Sequence, residues 1–146
     1  MRTSRLGIEA IKQFEGCVLG TYRCAAGVQT IGYGHTGSDV TAGLSISRER
    51  AEALLVSDLE RFERAVEGAV GRPMTQGQFD AMVSLAFNIG AEAFRKSTLV
   101  RKFNEGDTPG AGQQFVVWHK VAGQLNTGLL QRRAAELWMF ARASAA

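Results

Sequence analysis

The chain has 146 residues, 45% of them hydrophobic and 21% charged, with a formal net charge of +3. That balance belongs to one globular domain with a sizeable core, and it excludes disordered, collagen-like and low-complexity chains. The positive excess lies after residue 72, around Arg95, Lys96, Arg101, Lys102, Arg132 and Arg133; it would steer the protein toward an anionic polymer without choosing among cell wall, nucleic acid and acidic membrane.

In chain order, Leu6, Ala10, Ile11 and Phe14 recur at helical spacing and predict a helix over about residues 4–14, with Gly16 as its stop. The next stretch, VLGTYRCAAGVQTIGYGHTGSDVTAG (18–43), is rich in Gly, Thr, Tyr and Val. Its short runs, broken by Gly27, Gly32, Gly34 and Gly37, predict a small antiparallel sheet with tight turns. From Ser47 onward the chain reads as helical. Ser47 caps a long helix with the stripe Ala51, Leu55, Leu59, Phe62 and Val66. Thr75 and Gln78 form a capping box ahead of Phe79, Met82, Val83, Ala86 and Phe87. Ser97 caps a short helix through Leu99, Val100 and Phe103, and further turns are expected at Phe115–His119 and from Leu129 to Arg142. The fold class is therefore α+β: a small antiparallel β lobe at about 16–45 and a larger helical lobe at about 47–146, with a cleft expected between them.

No run approaches the ~18 apolar residues that would suggest a membrane span. The start, MRTSRLGIEAIKQFEG, has no apolar core of signal-peptide length. A chain made in a cytoplasm, not membrane-spanning, is expected. With two histidines far apart and only Cys17 and Cys24, there is no zinc spacing and no disulfide scaffold, so neither metal nor cofactor is expected.

Chemistry concentrates where the first helix meets the sheet. Glu15 ends the helix, Cys24 follows nine residues later, and Thr30 opens the strand-like TIGYGHT. Hairpin geometry can bring the three to one wall. Cutting a glycosidic bond needs an acid for the leaving oxygen and a second group on the opposite face of the sugar. Carboxyl groups are the usual acids for that step, and a threonine hydroxyl can orient the attacking water without carrying charge.

With Glu15, Cys24 and Thr30 at these intervals, leading into TIGYGHT (30–36), the chain resembles the phage-type lysozymes, the endolysins of glycoside hydrolase family 24. The resemblance continues through SLAFNIG (84–90), STLVRKFN (97–104), Trp118 and GLLQRRAAE (128–136). It implies a single lysozyme-like catalytic domain that hydrolyses the β-1,4 bond between N-acetylmuramic acid and N-acetylglucosamine in peptidoglycan, lysing the host cell. It implies Glu15 as proton donor, Thr30 as the residue positioning water, and Cys24 at the second catalytic position, where the best-known relatives have Asp. A free thiol substitutes poorly for a carboxylate unless its pKa is lowered, so base, water-holding and nucleophilic roles stay open for Cys24. The resemblance further implies that Thr36, Phe87, Asn88 and Ser97 line the saccharide cleft and that His35 and Asp58 form a structural pair. Arg132 and Arg133 match a basic pair of the C-terminal motif to which chemistry alone assigns no role. Release to the wall through a separate pore-forming, holin-like partner is expected, as is a monomer.

Three rival readings are weighed. A non-catalytic wall-binding module is opposed by Glu15. A nucleic-acid binder is opposed by the lack of any recognition-helix pattern. A lytic transglycosylase would cut the same bond with Glu alone, whereas Thr30 and a second catalytic position favour hydrolysis. Cys17 and Cys24, seven residues apart, leave two readings open: a disulfide that switches the enzyme off under oxidation, or a structural Cys17 pointing elsewhere.

Overall fold

An amphipathic helix, α1 (Arg5–Glu15), opens the chain. It ends at Gly16, whose φ of +70° suits glycine and whose N–H donates to the Lys12 carbonyl at 3.0 Å. Glu15 is thus the last helical residue. The computed structural model describes residues 1–142, and these divide into two compact units.

The unit Ile8–Glu60 contains the sheet. Strands β1 (Val18–Arg23), β2 (Gln29–Gly32) and β3 (His35–Thr36) pair antiparallel in that order. Thr30 sits on the central strand, opposite Tyr22 on one side and Thr36 on the other. Helix α2 (Arg48–Ala69) follows, with Ser47 Oγ accepting from Arg50 N at 3.1 Å. Ile31, Val40 and Leu54 form the buried centre, with Leu44 and Ile46 packed against it; each side chain of this size contributes roughly 1.5–3 kcal/mol when fully buried. Gly32 has φ +65°, and a Cβ there would lie 3.3 Å from the Ala51 Cβ. The positive φ and the close approach of β2 to α2 both favour glycine here.

The second unit joins Met1–Gly7 to the chain from Arg61 onward. Its central helix, α3 (Gln76–Ile89), starts with the expected reciprocal box: Gln78 N donates to Thr75 Oγ1 at 3.1 Å and Thr75 N to Gln78 Oε1 at 2.9 Å. Phe79 through Ala86 are all buried, so the helix is enclosed on every side. Short helices α4 (Ala91–Arg95), α5 (Thr98–Asn104) and α6 (Thr108–Gln113) lead to a 3₁₀ turn at Gln114–Val117. Then come β4 (Lys120–Val121), β5 (Gln124–Leu125) and α7 (Thr127–Ala141). Phe79, Phe94, Phe103 and Phe115 are fully buried, and Phe140 meets Phe103 and Phe115 edge-on at 6.0 and 5.3 Å. Among the described residues no helix is long and apolar enough to cross a membrane.

Three features depart from the expected layout. The first seven residues belong with the helical unit, because Thr3 N and Oγ1 donate to Glu63 Oε2 at 2.7 and 2.6 Å and Ser4 donates to the Asp80 carboxylate. The sheet unit extends beyond 16–45 to take in most of α1 and the first half of α2. The helical turns expected at Phe115–His119 shrink to the 3₁₀ turn, and a hairpin follows, reversing at Ala122 (φ +51°) and Gly123 (φ +79°). A two-residue turn of this hand favours Asn-Gly, and Ala-Gly hides it from a sequence reading.

Candidate active site

Glu15, Cys24, Thr30, Thr36, His35 and Asp58 all lie in the Ile8–Glu60 unit. The end of α1 brings the Glu15 carboxylate to the turn between β2 and β3, where a Cβ on Gly34 would stand 3.4 Å from Oε1. Gly34 has φ +82°, which makes that turn a glycine position as well as a close approach to the carboxylate.

Residues 24–28 close a small loop: Gly27 N donates to the Cys24 carbonyl at 2.8 Å and Cys24 N to the Val28 carbonyl at 3.0 Å. The backbone of Val28 and then of Ala26 holds the Cys24 pKa below the ordinary thiol value, opposed by burial and helped by the Thr30 hydroxyl. Nearby backbone N–H groups favour an anion, so the thiol is tuned toward the charge an aspartate would carry. Thr30 is buried, and its Oγ1 lies 2.9 Å from the Val28 carbonyl. With its proton given to that carbonyl or to the sulfur, the hydroxyl keeps lone pairs that can accept from a water. Thr36 pairs with Thr30 across β2 and β3 and is exposed.

Both cysteines are free thiols. Burial first, then the nearby Cys17 thiol, pushes the Tyr33 phenol above its ordinary pKa.

His35 Nδ1 lies 2.8 Å from Asp58 Oδ2 on α2, and its Nε2 lies 3.0 Å from Asp39 Oδ2. Burial lowers the His35 pKa, but hydrogen bonds and charge from Asp58 and Asp39 outweigh it, and the net shift is upward. The same contact holds Asp39 below the usual carboxylate range. The sequence signal for Asp39 is weak: a polar residue four positions after His35 in a glycine-bounded turn.

Phe87, Asn88 and Ser97 lie in the helical unit. Phe87 is half-buried and packs edge-on against Phe62 at 5.3 Å. Ser97 is buried: its hydroxyl donates to the Phe94 carbonyl at 2.7 Å and accepts from Val100 N at 3.2 Å. It is the cap of α5. Asn88 is exposed at the end of α3, and Arg133 Nη2 donates to its Oδ1 at 2.6 Å.

Arg133 belongs to a buried ionic group. Glu136 Oε2 accepts from Ser84 Oγ at 2.5 Å and from Arg132 Nε at 3.2 Å, while Arg133 Nε stands 3.0 Å from Glu136 Oε1. That last contact is close enough for an ion pair yet too poorly aligned for a hydrogen bond. Burial pushes the Glu136 carboxyl upward, and the two guanidinium groups oppose the shift.

A sequence profile of the phage lysozyme family matches residues 12–136. The endolysin of Bacillus phage PZA is 43% identical over 142 residues, 96% of this chain and 55% of that protein, so the chain spans about half the length of this relative. The endolysin of Acyrthosiphon pisum secondary endosymbiont phage 1 is 42% identical over 144 residues, 96% of this chain and 98% of that protein. Among solved structures, the muramidase domain of SpmX from Asticaccaulis excentricus matches with a TM-score of 0.91 at 41% identity, covering 97% of this chain and 99% of that one. The endolysin of Escherichia coli O157:H7 phage FAHEc1 matches with a TM-score of 0.90 at 38% identity, covering 100% and 98%.

Proposed function

This chain belongs to the phage lysozyme family, glycoside hydrolases that act on peptidoglycan, and we propose that it is a muramidase with Glu15 as its general acid. The bond cut is the β-1,4 link between N-acetylmuramic acid and N-acetylglucosamine, within a single catalytic domain. The observation that carries this reading is the placement of Glu15 against Gly34 in the same unit that sets the Cys24 thiol beside Thr30.

Glu15 gives its proton to the leaving glycosidic oxygen as the bond breaks. Positive charge then develops at the anomeric carbon, and a thiolate at Cys24 stabilises it as a carboxylate would. Thr30 Oγ1 accepts from the attacking water and orients it, while Cys24 takes its proton. Thr36, Phe87, Asn88 and Ser97 are proposed saccharide contacts, and His35 with Asp58 holds β3 on α2. The test is mass spectrometry of muropeptides released from purified sacculi. Reducing N-acetylmuramic ends are expected; 1,6-anhydro ends would overturn hydrolysis in favour of a transglycosylase, and no release would leave a wall-binding module.

Cytoplasmic synthesis, monomeric action and passage through a membrane lesion made by a separate pore-forming protein complete the proposal. Cells expressing this chain alone should stay intact and lyse on permeabilisation; spontaneous lysis would overturn that route.

A further inference from the structure

The C-terminal motif contains a basic pair, Arg132 and Arg133, that the catalytic scheme does not use. Arg133 is wholly buried, and burying a guanidinium is costly unless its charge and donors are engaged. Glu136 supplies the countercharge. The shortest hydrogen bond Arg133 makes, however, goes outward, to the side chain of exposed Asn88 at 2.6 Å. Arginine has donors only, so the Asn88 atom that meets Nη2 must be the carbonyl oxygen. An exposed asparagine ordinarily turns its amide either way. Here a buried cation anchored by an ion pair to Glu136 sets the choice, and the NH₂ group is left directed away from the guanidinium.

We infer that Arg133 is a positioning residue that locks the Asn88 amide with its NH₂ outward, so that Asn88 donates to acceptor oxygens of the bound amino-sugar chain. The N-acetyl carbonyls and ring hydroxyls of such a chain are acceptors of the matching kind. A free amide would present its own carbonyl half of the time, and the lock removes that competing state before the ligand arrives. This inference rests on the muramidase reading above.

The decisive variant is Asn88→Asp. It keeps an oxygen for Arg133, gaining a full ion pair, but loses the outward donor. On soluble peptide-free glycan strands, KM is expected to rise about tenfold, the weight of one hydrogen bond. Turnover should stay within about twofold and the melting temperature should hold or rise, a combination that a merely structural Asn88 would not produce. In Arg133→Met the amide turns freely, so KM rises about twofold, and adding Asn88→Asp to it raises KM only about fivefold further. Because Arg133→Met removes a buried charge and can fail to fold, a wild-type readout stands beside it. The Asn88 side-chain NH₂ resonances, followed by ¹⁵N NMR, should shift on titration with tri-N-acetylchitotriose. An unchanged KM in Asn88→Asp, or NH₂ resonances unmoved by the trisaccharide, overturns the inference alone. Wild-type protein that leaves the glycan strands uncut overturns the muramidase reading and this inference with it.

Discussion

His35 and Glu136 each hold two partners of opposite charge, in opposite surroundings. His35 is half-buried, with Asp58 behind it and Asp39, whose side chain is 57% exposed, in front. Glu136 is wholly buried with Arg132 and Arg133 on α7 and accepts from Ser84 on α3. The first arrangement can gain or lose a proton near neutral pH, and water shares its charge. The second cannot relax in the same way: arginine stays protonated at any working pH, and both partners are buried with the carboxylate. The sheet unit therefore holds an adjustable ion pair, and the helical unit a committed one.

The largest effect should come from breaking the committed side. Glu136→Ala leaves two guanidinium groups without their carboxylate and should destabilise the protein by about 3–5 kcal/mol. Chemical denaturation measures this; a loss under ~1 kcal/mol would mean that the group is hydrated and the contrast false.

Next is the carboxylate beside Gly34. Glu15→Gln keeps the shape and removes the transferable proton, so lysis of wall suspensions should fall at least ~10²-fold with the melting temperature nearly unchanged. Near-normal lysis by a folded variant would remove Glu15 from the chemistry.

Asp58→Asn sharpens the adjustable side. It should cost about 1.5–3 kcal/mol, the range for a hydrogen bond to a charged group, and leave most activity at low temperature. The pH dependence has a definite sign. The folded pKa of His35 is raised above its unfolded value of ~6.5, so its contribution is full below that value and fades as pH rises through the folded pKa. The stability gap between wild type and Asp58→Asn should accordingly narrow on the alkaline side. A gap independent of pH across that window would show that the pairing carries no titrating proton.

Asp39→Asn should be the mildest change, because the carboxylate is exposed and screened. Its folded pKa is lowered, so this small contribution is present above the unfolded carboxylate value of ~3.9 and disappears as pH falls through the folded one. A Cys24 thiolate gives a separate signature in activity. Lysis should rise with pH through a midpoint below the ordinary thiol value of ~8.5, and Cys24→Asp should abolish that midpoint. A profile unaltered by Cys24→Asp would leave the thiol without a charged role.

Local signals determined much of this protein by themselves. Periodicity and capping residues predicted α1, α2, α3 and α5 because Ser47, Thr75 and Ser97 satisfy N–H groups a few residues away. Glycine punctuation marked the sheet, and the spacing of Glu15, Cys24 and Thr30 marked the chemistry. What tertiary structure alone decided involves groups far apart in sequence, or backbone atoms that look the same in every sequence. The tuning of Cys24 comes from the backbone of Val28 and Ala26, which no residue type announces. The N-terminus joins the helical unit through Glu63 and Asp80, some sixty and seventy-six residues away. Arg133 reaches Asn88 across forty-five residues, and Ser97 faces inward as a cap. Sequence spacing encodes bonds within a few residues of one another; which distant side chain fills a partner's remaining valence is settled only when the helices pack.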